Sequence, residues 1–149
     1  MKSLFTPSGN KEMIDRIQKL KAGMSPVWGK MTAAQMVAHS QVPFKVAFEE
    51  LKLKRGIFGI LFGGIARKKM IGPGQFGKNL PTGKSFIISG QPDFEKEKNN
   101  LIDYVKRFEK NGPKKITQEP HPFFGKMTSE EWDTLMYKHL DHHLRQFES

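Results

Sequence analysis

The sequence predicts an all-α fold, a four-helix bundle in a single domain spanning residues 1–149, and three observations carry that prediction. Four stretches repeat apolar residues at helical spacing. Two of them open on a threonine with a capping partner three residues on, and the connections between them are very unequal in length. The chain is long enough to bury one substantial core, and no linker-like stretch divides it.

The first helix is expected from a cap at Asn10 to Ala22, with Met13, Ile14, Ile17 and Leu20 on one side and Gly23 as its stop. The second is expected to open at Thr32, whose spacing to Gln35 matches a capping box. It continues through Met36, Val37, His39, Phe44, Ala47 and Leu51, with a kink at Pro43. The third opens at Pro92 and Asp93, turns Phe94, Leu101, Ile102, Val105 and Phe108 inward, and ends at Asn111-Gly112. The fourth begins at Thr128, paired with Glu131, and carries Trp132, Leu135, Met136, Leu140, Leu144 and Phe147 on one face. A short first loop favours antiparallel neighbours, whereas about forty residues between the second and third helices permit a crossover. The expected topology is therefore up-down-down-up.

The crossover holds an apolar run, Gly56 to Ala66, flanked by Lys52, Lys54 and Arg55 and by Arg67, Lys68 and Lys69. It is too short to span a bilayer. A basic amphipathic segment of this kind can lie on a membrane surface. The favoured expectation is instead a short extra helix that covers the bundle end or a partner subunit, as in a homodimer. Pro73, Gly74, Gly77, Pro81 and Gly83 mark irregular chain, and Ser85 to Ser89 is expected as a brief extended piece.

Composition excludes several function classes. With no cysteine the chain has no disulfide framework, no thiolate zinc site and no cysteine nucleophile, so a metal would be held by nitrogen and oxygen. The N-terminus lacks an apolar leader, which makes the cytoplasm the expected location. A formal charge of +10 raises a basic binding protein for nucleic acid or anionic surfaces as a rival reading. The cations are spread along the chain without aromatic-basic platforms, so no specific nucleic-acid partner is expected.

The last helix places His139 and His143 within its apolar stripe, four residues and about one turn apart on the same side. Two imidazoles so placed can share one cation. They fit a pair of hydrogen-bonded core histidines equally well, and a third ligand would decide between the two. A short internal echo points to one. Trp28-Gly29-Lys30-Met31-Thr32 and Phe124-Gly125-Lys126-Met127-Thr128 each place an aromatic, a glycine, a lysine and a methionine before a threonine cap. N-cap and staple chemistry accounts for both locally. Relative to those caps His39, His139 and His143 fall within roughly 40° of one phase, so both helices can turn a histidine to the same seam. His142 lies at the stripe's margin. His121, next to Pro122 in a loop, is expected as a surface turn residue, with an acid or base reaching the site as the alternative. Asp141 is expected to face solvent or orient a ring, and Gln146 has no assigned role.

His39 followed by His139-Leu140-Asp141-His142-His143-Leu144-Arg145-Gln146 resembles the metal motif of the DinB/YfiT-like superfamily. The phrases around Trp28-Gly29-Lys30-Met31-Thr32, Gln35-Met36 and His121 to Trp132 resemble a branch of it called a domain of unknown function, and the likeness covers most of the chain. It implies an up-down-down-up bundle holding one divalent metal, often nickel or zinc, on His39, His139 and His143, with His142 beside the ligands. Three neutral ligands leave positions open for water or a small-molecule substrate. Within the superfamily the implied chemistry is transfer of a low-molecular-weight thiol such as bacillithiol, mycothiol or glutathione to an electrophile, and metal-dependent hydrolysis is the alternative. In both, the cation lowers the pKa of a coordinated thiol or water.

Overall fold

The computed structural model describes residues 2–149 and is all-helical, with no strand among the described residues. Its helices are α1 (Pro7–Lys19), α2 (Ala33–His39), α3 (Val42–Ala47), α4 (Ile57–Ile71), α5 (Phe94–Asn111) and α6 (Ser129–Gln146). Short 3₁₀ turns lie at Lys84–Phe86 and Pro113–Lys115. One core runs between α1, α2, α3, α5 and α6, and Trp132, Phe44, Phe108, Met13, Ile17, Met36, Leu101 and Leu140 are among its fully buried side chains.

Helix α1 starts earlier than its periodicity suggests. The cap is Thr6, whose hydroxyl accepts from the Gly9 amide at 3.3 Å, and Pro7 supplies a preset φ at a position where no amide hydrogen is needed. The expected cap, Asn10, is buried within the helix and donates from its side-chain amide to the carbonyls of Leu4 at 3.0 Å and Val105 at 2.7 Å. It ties the N-terminal segment to α5. The helix ends at Lys19, before Ala22 and Gly23, with Leu20 already extended.

The second expected helix is two. Pro43 has no amide hydrogen for the carbonyl of His39, four residues back, and its ring crowds that carbonyl, so α2 closes at His39 and α3 restarts at Val42. Helix α3 stops at Ala47, short of Leu51, where Glu49 takes a positive φ of 59° and the chain turns back onto the Lys45 carbonyl. Both expected capping boxes are present, Thr32 with Gln35 and Thr128 with Glu131. Helix α5 has the expected bounds, capped by Asp93 and closed by Gly112 at φ 65°. Residues Ser85 to Ser89 form no strand: Lys84–Phe86 is a 3₁₀ turn, and Ile87 follows it in extended conformation.

Asp141 neither stands free in solvent nor touches an imidazole. It accepts from Arg16 and from Arg145, each at 2.9 Å, and so clamps α1 to α6. The apolar run of the crossover forms α4, and among the described residues no helix is long and apolar enough to cross a membrane.

Candidate metal centre

The break after α2 leaves His39 as its last residue, facing the α6 turn that carries His139 and His143. The three rings form a compact triangle, with centroids 5.0 Å (His39 to His139), 4.7 Å (His39 to His143) and 4.6 Å (His139 to His143) apart. One nitrogen from each lies within 4.8 Å of the others. His39 and His143 are buried and His139 is partly exposed. The group contains no carboxylate.

Hydrogen bonds decide which nitrogens are free. Nδ1 of His39 lies 2.7 Å from the Phe86 carbonyl oxygen, which can only accept, so Nδ1 carries the hydrogen and Nε2 the lone pair. That Nε2 is 3.1 Å from Nε2 of His139. For His143 the same assignment comes through Gln146. The Gln146 amide donates from Nε2 to the Trp28 carbonyl at 2.6 Å, which turns its Oε1 to Nδ1 of His143 at 2.9 Å. His143 therefore donates from Nδ1 and keeps Nε2 as an acceptor. Two ligand atoms about 2.0–2.1 Å from one ion at tetrahedral to right angles stand about 2.9–3.4 Å apart, which is the spacing of the His39 and His139 nitrogens. Neutral imidazoles with oriented lone pairs fit a borderline-soft divalent ion.

Electrostatics favours the neutral forms. Burial pushes the pKa of His39 below its ordinary value, against a raising contribution from its bond to Phe86. His139 is pushed well below, first by burial and then by His143, His39 and His142. His143 falls to about 3, mainly through burial, with His39 adding to the shift and Gln146 opposing it. At neutral pH the cluster offers lone pairs, not protons.

The remaining histidines stay out of the triangle. His142 lies beside it: its ring is 5.1 Å from that of His143 and packs on Trp28 and Phe76, and its buried Nδ1 has no partner. His121 is buried and is not part of the cluster. It is 4 % exposed, its Nδ1 accepts from the amides of Phe123 and Phe124 at 3.0 and 3.1 Å, and its ring lies against Phe124 and Trp132. It is a turn residue, as expected, but a buried one, because a turn that holds its backbone donors through an imidazole is not visible in residue order.

Sequence reasoning also missed two positioning contacts. The Phe86 carbonyl comes from the irregular crossover, and Gln146 looked like one more polar residue near a helix end. The signal for Gln146 was its place three residues after His143, one turn on along the same face. Gly29 belongs with it: φ is 81°, and a Cβ there would stand 2.6 Å from Gln146 Nε2. Its counterpart in the echo, Gly125, has φ 77° in the turn closed by the His121–Gly125 bridge. The echo thus repeats a left-handed glycine ahead of a capping box, and in one copy that glycine also makes room for the residue that orients a histidine.

An all-helical protein with three neutral histidines converging from two helices is the class that these features define. Over residues 2–149 the chain matches the family described as "Protein of unknown function (DUF1569)", and it belongs to that family. No curated protein and no solved structure matches it.

Proposed function

We propose that the protein is a divalent-metal-dependent enzyme that transfers a low-molecular-weight thiol to an electrophilic small molecule. His39, His139 and His143 would hold the ion, with nickel or zinc as the expected metal. The observation that carries the reading is the orientation of the donors: Nδ1 of His39 and of His143 donate to Phe86 and Gln146, which puts the lone pair of each ring on Nε2. The His spacing across two helices and the long stretch between α3 and α5 support placing the chain in the DinB/YfiT-like superfamily with up-down-down-up topology.

A bound divalent ion would supply Lewis acidity, lowering the pKa of a thiol or water that reaches an open position. Three neutral ligands leave its charge undiminished. A free thiol with a pKa of about 8.5 needs far less help to ionise near neutrality than water at about 15.7. The ligand group includes no carboxylate to act as a base, which favours thiol over water as the nucleophile. In the transfer, the thiol proton goes to solvent, a sulfur–carbon bond forms, and the leaving group departs with the electron pair of the bond that breaks. Trp28, Phe76 and His142 give the adjacent wall an aromatic surface, and Lys78, 4.7 Å over the Trp28 ring, adds a cation suited to an anionic thiol.

The test is a screen of metal-loaded protein against several thiols with a chromogenic electrophile, run beside esters and amides without thiol. Thiol-dependent turnover that disappears in His143→Ala is the expected result. Turnover of an ester or amide without thiol replaces transfer with hydrolysis, and silence in both arms despite bound metal removes the enzymatic reading.

A further inference from the structure

Helix α4 carries its bulk on the wrong side for a bundle helix. Ile57, Phe58, Ile60, Leu61, Phe62 and Ile65 are each more than half exposed. The inner face is already seated. Its buried residues are Gly59 and Gly63, and a Cβ on Gly63 would stand 2.0 Å from the Phe123 carbonyl oxygen. Further ties hold it there: Arg67 donates to the Lys126 carbonyl, and Lys138 to the carbonyls of Met70 and Gly72. At roughly 100° per residue, the glycines face one side and the six apolar residues fan over an arc of about 200° on the other. No inward rotation is left that would bury them.

Charge identifies what covers this face. From Leu51 to Gln91 the chain has eight lysines and arginines and not one aspartate or glutamate, so this segment carries most of the net charge of +10. Lys52, Lys54 and Arg55 precede the helix, and Lys68 and Lys69 stand exposed at its end. At 15 residues the helix cannot cross a bilayer. An isologous contact between two copies would bring the same cationic rims together without an acid in the segment to pair them. A nucleic acid would match the charge and leave the six apolar side chains in water.

We propose that α4 docks the protein on an anionic lipid surface. The helix lies in the interfacial plane with Phe58, Leu61, Phe62 and Ile65 among the acyl chains, while the exposed flanking lysines Lys52, Lys54, Lys68 and Lys69 reach the headgroup phosphates.

Flotation of the full chain at physiological salt tests this, with vesicles of phosphatidylglycerol mixed into phosphatidylcholine and vesicles of phosphatidylcholine alone. Partition onto the anionic vesicles is expected to be at least about tenfold stronger than onto the neutral ones. Phe58→Ser with Phe62→Ser leaves the charge and the exposed, seated helix in place and is expected to lower anionic partition at least about tenfold. Lys68→Glu with Lys69→Glu should do the same. Circular dichroism should match wild type in both, since all four side chains are exposed. Absence of wild-type flotation on anionic vesicles overturns the proposal, and so does undiminished flotation of the phenylalanine variant, which would reduce the effect to charge alone. A wild-type dimer in sedimentation equilibrium that the phenylalanine variant dissolves, without lipid binding, would assign the face to a second copy.

Discussion

Gln146→Ala removes both ends of the bridge between His143 and the loop at Trp28. Wild type has Oε1 at 2.9 Å from His143 Nδ1 and Nε2 at 2.6 Å from the Trp28 carbonyl, with the side chain 3 % exposed. Loss of the first contact frees the His143 ring to rotate and change tautomer. Removing such an orienting partner costs roughly 10–100-fold in metal affinity, or about 1.4–2.7 kcal/mol. Loss of the second takes the donor from a part-buried carbonyl, at up to about 1–3 kcal/mol of stability, which a domain of ordinary stability survives. Gln146→Glu separates the two effects, because a carboxylate still accepts from His143 Nδ1 and cannot donate to Trp28. It should bind metal near wild-type strength while losing the stability increment. The assay is zinc titration against a competing chelator at pH 7, with urea unfolding of the same metal-free proteins. Wild-type affinity in Gln146→Ala, or affinity in Gln146→Glu as weak as in Gln146→Ala, would refute the orienting role.

Two further outcomes are expected. His121 has its pKa lowered from 6.5 to about 4, by burial and then by Arg55, so its contribution is whole above pH 6.5, where both folded and unfolded states are neutral. As pH falls from 6.5 towards 4 the unfolded state takes up a proton that the folded state refuses, and on the order of 3 kcal/mol is lost. Urea unfolding at pH 7 and pH 4.5 should show His121→Gln losing less stability on acidification than wild type; an equal loss would place the depressed pKa elsewhere. Gly63→Ala should loosen α4 although alanine favours helix by about 1 kcal/mol, because its Cβ meets the Phe123 carbonyl at 2.0 Å. Hydrogen exchange should quicken in α4 and not in α5 or α6, and unchanged α4 protection would show that the glycine seat is not tight.

Short-range chemistry made much of this fold legible. Thr32 with Gln35 and Thr128 with Glu131 announce two helix starts through reciprocal bonds that need only local sequence, and Phe94 to Phe108 shows its buried face through period alone. The three histidines were visible because capped starts fix helical phase. Thr6 was passed over because Asn10, a stronger-looking cap, is spent on a contact to Val105 that no local pattern reveals. The same holds for Phe86 and His39, which come together only because an irregular crossover returns over α2. The breadth of the bare α4 face also came only from the structure, since the run Gly56 to Ala66 reads equally as a helix that is covered.

Metal stoichiometry tests the central claim most directly. Wild type and the His39→Ala, His139→Ala and His143→Ala variants are loaded in turn with nickel, zinc and manganese, dialysed and measured by elemental analysis. The account predicts about one ion per wild-type chain, reduced in every variant and most completely in His143→Ala. The helical circular dichroism should persist, because Trp132, Leu135, Met136, Leu140 and Leu144 pack without the ion. Equal, near-zero metal in wild type and all three variants would contradict it.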